Sequence, residues 1–135
     1  MPARLPLTPY VESYRFWDVV TLWARERLEH ELIVARALAR AVALDGLKIQ
    51  SVDARWLPGN QRAPELKGRP YVGYCAQPGA ATCILRAEAL HHLLDVARRG
   101  ADPSREQLHE EYLLREDFRA WLEAHRLQLP HFWFY

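Results

Sequence analysis

Leu129-Pro130-His131-Phe132-Trp133-Phe134-Tyr135 closes the sequence with four aromatic residues in a row. Chain termini ordinarily fray and tolerate polar residues. Left in water, these rings would expose roughly several hundred Å2 of apolar surface, about the largest patch a soluble monomer shows. The tail over 129–135 must therefore dock. Docking of Phe132, Trp133 and Phe134 against the long helix of the same domain is the first expectation. The same rings, with Tyr135, are the candidate partner interface, for a homodimer or for another protein. Pro130 stops the preceding helix and sets the direction of the tail.

Working outward, the 135 residues suit one domain, 1–135. Hydrophobic residues make up 50%, with five Trp and six Tyr, enough to build a core. Two Cys and an N-terminus with no apolar leader fit a cytoplasmic protein. No apolar run is long enough to span a bilayer. Residues 1–12, with Pro2, Pro6 and Pro9, read as an extended arm. A net charge of +1 predicts no polyanionic partner by itself.

From Ser13 to Leu44 the chain reads as helix, as one bent rod or two. Ser13 and Asp18 are the candidate caps. Leu28, Leu32, Ala35, Ala39 and Val42 recur at helical spacing and make a buried stripe on a long Ala-rich helix. Arg25, Glu29, Arg36 and Arg40 occupy another arc, interrupted by Ile33. Arg27 and Glu31 are spaced for an i,i+4 pair. Asp45-Gly46 ends the helix, with Gly46 left-handed. Strands are expected over 47–56, 71–76 and 80–85, the last two as a hairpin through Gln77-Pro78-Gly79-Ala80. Residues 57–70 hold three Pro and two Gly and read as a flexible basic loop. A helix over 86–99 stops at Gly100, Ser104 caps a helix from Arg105 with Gln107 completing its capping box, and a last helix spans 116–125. The fold class is α+β: the Ala-rich helix and C-terminal helices packed with a three-stranded antiparallel sheet. Ile84-Leu85-Arg86 and Leu113-Leu114-Arg115 echo one another at an offset of 29, as do Leu93 and Leu122.

The chemistry-bearing residues fall into no catalytic pattern. There is no Cys-x-x-Cys and no His-x-x-x-His, so neither a metal nor another cofactor is expected. Gly68-x-x-x-x-Gly73 lacks the Lys-Ser/Thr of a phosphate loop. Cys75 and Cys83 lie on opposite arms of the hairpin. The basic loop is the one candidate ligand surface. Arg55, Arg62, Lys67 and Arg69 interleave with Trp56 and Tyr71, which suits nucleic acid, with cations for phosphate and rings for stacking.

Arg115-Glu116-Asp117-Phe118-Arg119-Ala120-Trp121-Leu122, closed by Leu129-Pro130-x-Phe132-Trp133, resembles the ending of many small uncharacterised bacterial proteins. That resemblance implies no activity. A helix pair, a hairpin, and then Leu85-Arg86 with Leu90 and Leu93-Leu94 is similar to winged-helix modules of excisionase type. It implies a helix in the major groove with the hairpin as wing. The first expectation for function is a non-enzymatic, cytoplasmic binding or regulatory module acting through protein contacts and self-associating, with no membrane partner. A nucleic-acid-binding regulator using 55–74 is the second, and an enzyme with an unrecognised site the third.

Overall fold

The computed structural model describes residues 12–51, 71–80 and 82–134. Residues 13–44 divide into three elements rather than one helix. Strand β1 (Ser13–Arg15) runs without a loop into α1 (Phe16–Arg27), and α2 (Glu31–Leu44) follows after a break. Ser13 caps nothing, because it pairs with Leu114 across an antiparallel ladder. The break is at Leu28, whose φ of 56° and ψ of 44° are left-handed. Glu29 N–H then closes on Ala24 O at 2.9 Å, ending α1. His30 opens α2 by accepting the Leu32 N–H on its ring Nδ1 at 3.1 Å. The elbow also undoes the expected Arg27–Glu31 pair. Arg27 bonds Glu29 instead, and Glu31 accepts from Thr21 Oγ1 at 2.8 Å and Trp17 Nε1 at 3.4 Å.

Helix α2 buries Val34, Ala35, Leu38, Ala39, Val42 and their alanine neighbours, as its spacing predicts. Leu28 leaves the stripe and stands 92% exposed. Gly46, at φ 82°, turns the chain out of α2, and Leu47 N–H reaches back to Ala41 O at 3.1 Å. The turn packs closely, since a Cβ on Gly46 would meet that of Ala80 at 3.3 Å.

The three expected strand segments hold β2 (Gln50–Ser51), β3 (Tyr71–Tyr74) and β4 (Cys83–Arg86). Strands β3 and β4 form the hairpin, with Tyr74 opposite Cys83. The three-stranded antiparallel sheet has other members. Its order is β1-β5-β2, centred on β5 (Glu111–Leu114). No helix starts at Arg105. Gln107 N–H does bond Ser104 Oγ, at 3.4 Å, but residues 105–110 form turns. Leu108 is fully buried there, and the chain leaves as a strand. The period of two in Glu111-Tyr112-Leu113-Leu114, with Glu111 and Leu113 inward, is the physical signature of β5.

Helix α3 (Ala87–Arg99) follows β4 directly and is closed by Gly100 at φ 73°. Helix α4 (Arg115–Ala124) follows β5 directly. The echoed segments are thus two strand-to-helix junctions, and β1–α1 is a third. Leu93 and Leu122, the matched positions, are both wholly buried.

The tail docks inside the chain. It forms one helical turn, α5 (His131–Phe134), with Trp133 and Phe134 in the core. Trp133 lies edge-on to Tyr14 at 4.8 Å and 5.7 Å from Phe118. The Arg115 guanidinium lies 4.6 Å from the Phe134 ring centre, a cation–π contact. Among the described residues no helix is long and apolar enough to cross a membrane.

Leu28 is held in a conformation that costs a side-chain-bearing residue about 1–2 kcal/mol, and it buries almost nothing in return. Leu28→Gly relieves that strain but adds about 0.4–1 kcal/mol of unfolded-state entropy. The net change in a urea titration is expected between zero and about 1 kcal/mol of stabilisation; a loss above about 1 kcal/mol would show that Leu28 supports the fold.

Candidate functional site

An open cleft of about 590 Å3 lies beside the elbow that joins α1 to α2. Its floor is the outer face of α2, with Ile33, Val34, Ala37 and Leu38. One wall is the end of α1, with Trp23, Glu26 and Arg27. The other is Trp121 of α4 and the connector Leu127–His131. The volume is within the range of ordinary ligand pockets, roughly 300–1,000 Å3.

Both indoles are fixed. Trp121 Nε1 donates to Asp45 O at 3.0 Å, and its ring stacks on His125 at 4.4 Å. Trp23 stands edge-on to Phe118 at 5.5 Å, with the Arg27 guanidinium 5.9 Å from its centre. The Glu26 carboxylate accepts the His131 N–H at 3.0 Å and the Phe132 N–H at 2.8 Å. It thereby satisfies the free donors that start α5. Arg115 Nε donates to Trp133 O at 3.2 Å from the other side. The wall of the cleft and the anchor of the tail are one construction.

Two of the exposed large apolar side chains line the cleft. Ile33 is 51% exposed and Leu127 46%, and Leu28 stands between the lining residues Arg27 and Glu29. The two non-glycine residues with positive φ among those described are Leu28 and Arg126. One ends α1 and the other follows α4, next to Leu127. Strain of this kind collects at functional sites. Its polar rim is already paired within the chain, so the cleft offers shape and apolar surface rather than a reactive group.

The buried polar cluster is elsewhere and is closed on itself. Arg86 donates Nε to Glu111 Oε2 at 2.9 Å and Nη2 to Oε1 at 2.8 Å. Ser51 Oγ donates to Glu111 Oε2 at 2.6 Å and accepts Arg86 N–H at 2.9 Å. Arg86 further reaches Glu88 at 2.7 Å and Gln107 O at 2.9 Å. Burial works against the Arg86 charge, but the bonds and attraction of Glu111 outweigh it and hold its pKa above the ordinary arginine value. No buried side-chain polar atom among the described residues lacks a bond. Each nitrogen of the Arg86 guanidinium and each oxygen of the Glu111 carboxylate has a partner inside the fold, as in a structural staple.

Of the six residues expected to bind nucleic acid, five, Arg55, Trp56, Arg62, Lys67 and Arg69, lie outside the described residues. Tyr71 is 3% exposed in β3, so the expectation of an accessible stacking ring is corrected: the side chain is buried. Of the candidate interface rings, Trp133 and Phe134 are core residues, Phe132 is half-buried against Tyr14, and Tyr135 lies outside the described residues. Arg36 and Arg40 tie α2 to the α3 side, through Asp102 at 2.7 Å and Ala97 O at 3.4 Å. Cys75 and Cys83 are free thiols, the first exposed and the second buried; burial pushes the Cys83 thiol up. Among the described residues no group of three His, Cys, Asp or Glu is placed to hold a metal ion. Sequence reading missed the cleft. Its visible signals were apolar residues in polar surroundings, Ile33 in a polar arc and Leu127 after Arg126.

Removing Glu111 strands a buried cation, which costs about 3–5 kcal/mol. Glu111→Ala should lose that much in a urea titration, and Arg86→Met/Glu111→Leu should recover most of it; equal losses in both would deny that the uncompensated charge is the cause. His92 accepts the Ser104 N–H on Nε2 at 2.9 Å, and burial lowers its pKa, partly offset by Asp95. The unfolded chain then binds the His92 proton more readily than the folded one. Stability contributed by neutral His92 is complete above the unfolded value of about 6.5 and is lost as pH falls below it. Unfolding titrations from pH 7.5 to 5 should show a shallower decline for His92→Asn than for the parent chain.

A scan against models of protein families, a search of curated proteins and a search of solved structures each found no match. What the chain does has to be read from the cleft and its surroundings.

Proposed function

We propose that this chain is a small non-enzymatic binding module that works through protein contacts, and that the cleft between the α1–α2 elbow and the α4–α5 connector receives an apolar side chain from a partner. One observation carries the reading: the exposed Ile33 and Leu127 line one cleft together with Trp23 and Trp121. Scattered surface leucines are normal, whereas an apolar patch rimmed by polar groups marks a contact surface. The rim fits such a contact. Glu26, Arg27, Glu29, Gln128 and His131 surround the apolar floor, which is the ring-and-core layout of protein interfaces. Rigid Trp23 and Trp121 are the kind of residue that anchors binding energy. The internally satisfied Arg86–Glu111 cluster supports the same reading, because no buried side-chain polar atom among the described residues is left without a partner.

Replacing Ile33 by the photo-crosslinker p-benzoylphenylalanine tests this in the cells that make the protein. Irradiation should join the chain to a second polypeptide at position 33 and not at the control position Arg98, on the exposed face of α3. Equal yields at both positions, or none at position 33, would remove the cleft as a contact surface.

A further inference from the structure

The cleft has a candidate occupant within reach in the same chain. Residues 1–11 lie outside the described residues and join the described fold at Glu12. That junction is close to the cleft. Glu12 O accepts the Arg115 N–H at 2.8 Å, so the chain before β1 leaves the sheet beside the start of α4, the helix that carries Trp121 into the cleft wall. The nearby Tyr14 ring lies 6.0 Å from that of Phe132, and the Phe132 N–H is bonded to Glu26, which is also in the wall. We infer that Arg4-Leu5-Pro6-Leu7-Thr8-Pro9-Tyr10 docks in the cleft of its own chain, and that a partner has to displace it. This rests on the reading of the cleft as a protein-contact surface and adds its regulation.

Three features favour this segment. The first is reach. Trp121 lies about 9 Å along α4 from Arg115, at 1.5 Å per helical residue. A polyproline-type segment rises about 3.1 Å per residue, which puts Pro9 about 9 Å and Pro6 about 19 Å from Glu12. Both prolines are therefore within reach of the cleft. The second is composition. Pro6 and Pro9 have the three-residue spacing of one side of a polyproline helix. Grooves lined by aromatic rings receive such segments, because the preformed helix loses little freedom on docking. Proline also biases the residue before it toward extended backbone, so Leu5 and Thr8 are restricted as well. The cleft supplies two fixed indoles, Trp23 and Trp121, beside an apolar floor, and the segment supplies Leu5 and Leu7.

The third is charge. Arg27 and Glu29 in the lining neutralise one another. Glu26 is met by two backbone N–H groups, which carry no formal charge, so its negative charge remains. Arg4 is the one charged side chain in the sequence over residues 1–11, and its sign is opposite.

Photo-crosslinking of the purified full-length chain tests the inference. With p-benzoylphenylalanine in place of Ile33, irradiation at high dilution should give a product with the mass of one chain. Its digest should join position 33 to a peptide from residues 4–10. Pro6→Asp/Pro9→Asp should cut that yield roughly tenfold, or about 1.4 kcal/mol of docking. Both substitutions precede β1, and a retained circular-dichroism spectrum separates lost docking from a lost fold. In the cells that make the protein, the same double variant should raise capture of a second polypeptide at position 33. No product with residues 4–10, an equal yield from the double variant, or a product with the mass of two chains overturns docking within the chain. A second polypeptide captured at position 33 would then still support the contact surface. A product with residues 4–10, with no polypeptide captured from either sequence, overturns the displacement and the contact reading together.

Discussion

The Arg86–Glu111 pair is the constraint on which the fold depends. It joins β4 to β5 across 25 residues of sequence, and Ser51 brings in β2 from 60 residues before Glu111. Arg86 is 2% exposed, and Ser51 and Glu111 are wholly buried. A buried charge with no partner is among the most destabilising defects a core can hold. These groups therefore fix register as well as position. A slip of one residue in β5 would turn Glu111 outward and Tyr112 inward, leaving Arg86 unpaired in the core. Strand β2 has only two residues and would have little claim to persist by its ladder alone. Ser51, bonded both to the Glu111 carboxylate and to the Arg86 N–H, holds it in place and bridges the three-stranded sheet to the hairpin.

From β5 the order passes to the tail. Strand β1 pairs with β5, which places Tyr14 against Phe132 and Trp133. Helix α4 leaves β5 directly and presents Phe118 to Trp133 and Phe134 from the other side. Two charged groups then finish the docking where the rings end. Glu26 receives the first free N–H groups of α5, and Arg115 takes Trp133 O and covers Phe134. The tail is thus held by aromatic packing inside and by hydrogen bonds at its edge. The same Glu26 forms a wall of the cleft, so the open surface exists only because the tail is seated.

Much of this was legible in the sequence, and what was not has a common cause. Helix α2 with its Gly46 exit, the β3–β4 hairpin, α3 with its Gly100 stop and the docking of the tail all follow from local signals: periodicity, turn residues and the cost of exposed rings. Strands β1 and β5 did not follow. Each has three or four residues, and each exists because the other is nearby, across about 100 residues of chain. Ser13 and Ser104 read locally as caps, and pairing overruled the first while a compact turn overruled the second. Tyr71 read as a surface ring because a strand's two faces look alike until a neighbour covers one. The cleft was the least legible part. It takes a few residues from each of four separate segments, and the two that stand out, Ile33 and Leu127, appear in the sequence only as apolar interruptions in polar surroundings.

The echo between 84–88 and 113–117 gains a physical meaning from three arginines. Arg15, Arg86 and Arg115 each sit where a strand turns straight into a helix. A cation at a helix N-terminus is opposed by the helix dipole, so capping does not explain them. Each instead donates to a backbone carbonyl outside its own strand and helix: Arg15 to His109 O at 2.6 Å, Arg86 to Gln107 O at 2.9 Å, and Arg115 to Trp133 O at 3.2 Å. The junctions work as fixed corners that hold the loop before β5 and the tail. The cleft is built at the opposite ends of two of these helices, where α1 stops at Leu28 and α4 stops before Arg126. Helix α1 is 12 residues, about 18 Å, from its corner to that end. Residues at the elbow therefore lie far from the buried pair, and substitutions there alter the cleft without disturbing that pair. Glu26 is the exception, since it faces both the cleft and the tail. Through it, the seated tail sets the shape of the cleft wall.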